Sequence, residues 1–224
     1  FAVVWFFLLG GTRRCLWWGV GAVWRCVLLG LLPGGGFTPG LLLVAAVAAT
    51  LWVIWPVFRA FDGWQLWALA IAGPAYVAWL VVASEGLRQK ALQADSLVFA
   101  LGLGTGVPAL LGATALYGQL GAAIAAAVGA RLLLQLFGKP VVAGSVMLLP
   151  LVVVLALLGL GAVVYAKLPW YILLLLALVP IMARVPLPAN MPRFMQIVGS
   201  VLIALLPAAL AVFLTWQETG APPF

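Results

Sequence analysis

No histidine occurs anywhere in the chain. That excludes haem or chlorophyll held by imidazole, zinc sites that use histidine, and serine or cysteine nucleophiles that take histidine as their base. Acids are nearly as scarce: only four residues in 224 are Asp or Glu. They are Asp62, Glu85, Asp95 and Glu218, and all fall in stretches that read as loop or tail. The sequence therefore predicts no carboxylate at membrane depth to relay a proton or hold a cation. It also argues against an intramembrane aspartyl protease, and against lipid transferases that need clustered acids around a phosphate-bound magnesium ion. The two cysteines, Cys15 and Cys26, form neither a disulfide framework nor a C-x-x-C motif. No catalytic residue, cofactor or metal ligand is assigned.

What is present is apolar. With 67% hydrophobic and 7% charged residues and a mean hydropathy of +1.28, the chain lies outside the range of soluble domains and belongs in a bilayer. Its net charge of +7 does not indicate a nucleic-acid partner, because the basic residues stand between apolar runs and accompany no recognition motif. That placement matches the excess of Lys and Arg that sets the orientation of membrane proteins.

Apolar runs near the ~20 residues needed to cross a bilayer follow one another along the chain. The predicted fold is all-α, a single polytopic bundle of about eight transmembrane helices plus one interfacial helix. Residues 1–10 cover about half a span, so the first span is expected to begin before Phe1. Further spans are predicted over residues 41–58, 65–83, 97–117, 119–137, 141–166, 168–184 and 197–216. The run 168–184 is short enough for a re-entrant reading. Ser84 to Ser96 (SEGLRQKALQADS) is the one stretch of soluble character, read as a short surface helix with Ser84 as its N-cap. Tyr117-Gly118-Gln119 is read as a tight hairpin. The prolines of VPLPANMP predict a stiff extended connector before the last span.

Residues 13–32 decide the topology. If they span, Arg13, Arg14, Arg59 and Lys167 face Arg88, Lys90, Lys139, Arg184 and Arg193, and no bias appears. If they lie in the interface, Arg13, Arg14, Arg25, Arg88, Lys90, Lys139, Arg184 and Arg193 share one side against Arg59 and Lys167. In-plane placement also spares Arg25 a position inside a span, which costs roughly 2.5–3.5 kcal/mol. Arg14-Cys15 recurs as Arg25-Cys26, close to three helical turns on, which places Arg14, Trp18 and Arg25 on one basic face. The expected location is a bacterial cytoplasmic membrane, with the C-terminus outside.

Two groups of residues are candidates for function. Arg131 lies inside a run with Gln135 one turn on and Lys139 beyond it; these three, with Arg14 and Arg25, are candidate contacts for an anionic headgroup or substrate. Arg131 also has the simpler reading of a side chain that snorkels to the interface. Gly104, Thr105, Gly106 and Pro108, within GLGTGVP, are the candidate broken-helix site, since proline removes a backbone hydrogen bond and transporters use such breaks to bind substrate. Gly121, Ala125 and Gly129, together with Gly102 and Gly106, are spaced for close helix packing. The expected role is non-enzymatic, a permease-like unit or a membrane subunit of a larger complex; the alternative is a membrane enzyme acting on lipid-linked phosphates. Expected partners are membrane lipids, anionic headgroups among them, and other membrane subunits.

Overall fold

The structure is a computed structural model that describes residues 38–54, 64–87, 89–112, 115–137, 145–166, 168–188 and 190–219. These form seven α-helices and, among the described residues, no strand. They are α1 (Thr38–Ile54), α2 (Trp64–Glu85), α3 (Ala91–Leu111), α4 (Ala115–Leu136), α5 (Ser145–Ala166), α6 (Tyr171–Ala183) and α7 (Arg193–Thr219). Four of them, α3, α4, α5 and α7, contain stretches long and apolar enough to cross a membrane. Helix is what such sequences must form in lipid, where every backbone N–H and C=O needs an internal partner.

α3 is the centre. It packs against α4, α5, α6 and α7, while α1 lies against α2 and α5. Of its most apolar window 72% is buried, against 28% for α4, so α3 is a core element and α4 is peripheral. Val77, Leu80, Leu97, Leu101, Val152, Leu155 and Leu176 meet in a continuous apolar core.

Small residues make the central approach possible. A Cβ added to Gly121 on α4 would stand 2.7 Å from the Gly106 Cα, and one added to Gly102 would stand 3.0 Å from the Ala125 Cβ. Backbone meets backbone along this seam, as the four-residue spacing predicts. Gly104 points the other way, where its Cβ would meet Leu176 and Ala208 at 2.7 and 2.8 Å. Glycines on both faces let α3 be approached from two sides.

Two local expectations are corrected. Residues 84–96 do not form a surface helix of their own: α2 runs to Glu85, a turn follows, and α3 begins at Ala91 rather than near 97. Ser84 is no N-cap but the close of α2, donating to the Val81 carbonyl and accepting from the Leu87 N–H. Tyr117, Gly118 and Gln119 are likewise helical, because α4 begins at Ala115 and Gly118 is packed against Leu110 and the Gly106 carbonyl. The expected truncated span over 1–10 and the interfacial helix over 13–32 lie outside the described residues.

Candidate functional site

The first turns of α3 carry Gln93, Asp95 and Ser96, consecutive enough that each faces a different neighbour. Gln93 Nε2 donates to the Val185 carbonyl at 3.5 Å. The Ser96 hydroxyl lies 2.9 Å from that of Ser200 on α7. Asp95 turns to α4 and is buried. The polar residues read from the sequence as solvated instead form a collar that fixes the central helix to the elements around it.

Asp95 is the centre of the site. Gln135 Nε2 donates to its Oδ2 at 2.6 Å, and Arg131 Nε stands 3.5 Å from the same oxygen. Gln135 is buried and Arg131 nearly so. Arg131 Nη1 also reaches the Met147 sulfur on α5, while its Nη2 is enclosed without a hydrogen-bond partner. The expectation that every carboxylate falls in a loop or the tail is therefore overturned for Asp95. Asp95 belongs to α3, a candidate span, and its charge is matched by a guanidinium on the next helix. The sequence signal was the lack of any Gly or Pro between Leu87 and Leu101, which lets the helix continue through the polar residues.

The cluster lies at one end of the bundle rather than at its middle. Asp95 is about 6 Å along α3 from Ala91, and Arg131 and Gln135 occupy the last two turns of α4. At that end Arg184, the residue that closes α6, donates from Nη2 to the Ala83 carbonyl at 2.7 Å. A cation there satisfies a carbonyl orphaned at the end of α2 and complements its dipole.

Of the sequence candidates, Arg131 and Gln135 are brought together on Asp95. Lys139, Arg14 and Arg25 lie outside the described residues. Gly104, Thr105, Gly106 and Pro108 sit in one uninterrupted helix, α3, closed by the Gly112 N–H donating to the Pro108 carbonyl. Within it Thr105 Oγ1 donates to the Leu101 carbonyl at 2.8 Å. Among the described residues no three His, Cys, Asp or Glu side chains gather as a metal site.

The arrangement defines an all-helical bundle with membrane-length apolar helices and an internal ion pair. No family model, curated protein or solved structure matches the chain.

Proposed function

We propose that the chain is a non-enzymatic, permease-like unit of a bacterial cytoplasmic membrane, with Asp95, Arg131 and Gln135 as its operating site. One observation carries the reading: a carboxylate and a guanidinium, both largely buried, are paired across two apolar helices. Ionisable residues within membrane helices are costly, and they mark substrate and ion pathways. The pair is bistable in principle, because Arg131 has an unused buried donor with which to take a new acceptor once Asp95 releases it.

The topology that accompanies this reading has about eight spans, an in-plane helix over residues 13–32 and an external C-terminus. Lys90, Arg184 and Arg193 at the cluster's end of the bundle support a cytoplasmic placement of that end. Anionic headgroups around those cations are the natural lipid partners, and a larger membrane complex is the alternative setting. An enzyme of lipid-linked phosphates would need Arg131 for the phosphate; Asp95 already engages that guanidinium, which counts against it.

The test is solute entry into proteoliposomes, followed by light scattering after an osmotic step with amino acids, sugars and simple salts. At least one solute is expected to enter faster than into protein-free vesicles, and Asp95→Asn to abolish the gain in folded protein. If every solute enters at the protein-free rate, the permease reading fails. Turnover of a lipid-linked phosphate that disappears in Arg131→Ala would instead make the chain an enzyme.

A further inference from the structure

Asp95 neutralises Arg131 without satisfying it. A guanidinium carries its N–H groups in one plane, shaped to give two parallel hydrogen bonds to the paired oxygens of an oxyanion. Here Nε stands 3.5 Å from Asp95 Oδ2 and makes no hydrogen bond; the short bond to that oxygen, 2.6 Å, comes from the Gln135 amide. Nη2 is enclosed without a hydrogen-bond partner, and Nη1 spends its bond on the Met147 sulfur, a weak acceptor. The Nη1–Nη2 end of the guanidinium is thus shaped for an oxyanion and holds a thioether.

That end is also the one that can open. Met147 lies near the start of α5 and is 39% exposed, and its unbranched, flexible side chain can swing aside. Among the described residues, Lys90, Arg131, Arg184 and Arg193 stand at this end of the bundle against Glu85 and Asp95, an excess of positive charge that draws anions toward the site. Asp95 meets Arg131 and Gln135 from α4, and α5 brings Met147, which does not titrate. On the other sides α2 closes with Glu85, α6 with Arg184, α7 opens with Arg193, and Lys90 precedes α3 itself. Arginine keeps its charge at every accessible pH, so the charge of the pair can change only at Asp95.

We propose that the substrate of this site is a small monovalent oxyanion, such as a monocarboxylate, taken up together with one proton. The inference rests on the reading of Asp95, Arg131 and Gln135 as an operating site and names what that site carries. A proton from solution adds to a carboxylate oxygen of Asp95 and removes its charge; the anion then takes Nη1 and Nη2 of Arg131 in place of the Met147 sulfur. Arg131 keeps its protons, and no other covalent bond changes. One negative charge faces the guanidinium before and after, because two would repel each other in so confined a site. A cation is rejected by the fixed charge of Arg131, and a neutral solute has no charge with which to replace Asp95.

Nitrate is the probe, since it is planar, offers two oxygens to a guanidinium and carries no proton of its own. Its binding to the full chain in lipid nanodiscs is titrated by calorimetry at several pH values, in two buffers whose heats of ionisation differ, so that protons taken up on binding appear as a difference in heat. The wild-type chain should bind nitrate with uptake approaching one proton per anion, and its affinity should fall as pH rises, by up to about tenfold per pH unit. Asp95→Asn should bind nitrate with no proton uptake and no pH dependence, and Asp95→Asn with Arg131→Gln should not bind it. A wild-type chain that ignores nitrate, or binds it without a proton, overturns the proposal whether or not either variant folds. So does proton uptake that survives in Asp95→Asn. Because no transport is involved, the two readings fail separately: proton-linked nitrate binding by a chain that passes no solute upholds the anion site and sinks the permease, whereas solute entry without such binding does the reverse.

Discussion

One Asp95 oxygen, Oδ2, both accepts the Gln135 Nε2 hydrogen bond and forms the ion pair with Arg131 Nε. This makes the three residues a unit, and their substitutions should not add. Asp95→Ala leaves a largely buried guanidinium without its counter-charge, which in protein interiors costs about 3–5 kcal/mol. Replacing the pair together, Asp95→Leu with Arg131→Met, removes the charge that would be stranded and should recover most of that loss. Equilibrium unfolding in mixed micelles compares them. An Asp95→Ala chain that unfolds at the wild-type denaturant concentration would show that the pair contributes nothing. The arginine and glutamine were legible from their i, i+4 spacing on an apolar run. Asp95 was not, because the composition of SEGLRQKALQADS is the same whether polar side chains face water or face three neighbouring helices. Only the packing of α3 among α4, α6 and α7 distinguishes these.

For the helices as elements, what matters about a glycine is what lies where its Cβ would be. Gly121 and Gly199 both sit inside helices, α4 and α7, and helix propensity alone favours alanine at each by up to about 1 kcal/mol. Their surroundings differ. At Gly121 the new methyl meets the Gly106 backbone at 2.7 Å; at Gly199 it meets the end of the flexible Leu187 side chain at 3.4 Å. Gly121→Ala should therefore destabilise by about 1–3 kcal/mol through overpacking, while Gly199→Ala is neutral or stabilising. Thermal unfolding of both variants checks the contrast, and a Gly121→Ala chain as stable as Gly199→Ala would remove the close α3–α4 seam. The four-residue spacing of small residues made this seam readable in advance. The helix limits were harder: α3 starts at Ala91 and α4 at Ala115 because tertiary contacts extend helix into residues whose local composition suggests a turn.

At the scale of the molecule, the described contacts sort the helix termini into two ends. Arg184 on the α2 carbonyl, Gln93 on Val185, Gln135 on Asp95 and Ser96 beside Ser200 gather the ends of α2, α4 and α6 with the starts of α3 and α7. Lys90, Arg184 and Arg193 belong to that end. From it α7 extends for 27 residues, about 40 Å, more than the ~30 Å of a hydrocarbon core. By length it is able to reach the other side, which is where the proposed topology puts its far terminus. If the basic end faces the cytoplasm, as the proposed topology has it, Glu218 is external. Single cysteines placed at the exposed positions 90 and 218, in a chain carrying Cys15→Ser and Cys26→Ser, report this directly. A membrane-impermeant maleimide added to intact cells should label Glu218→Cys and leave Lys90→Cys unlabelled until the membrane is opened. The reverse pattern would invert the orientation, and labelling of both from outside would show that α7 does not cross.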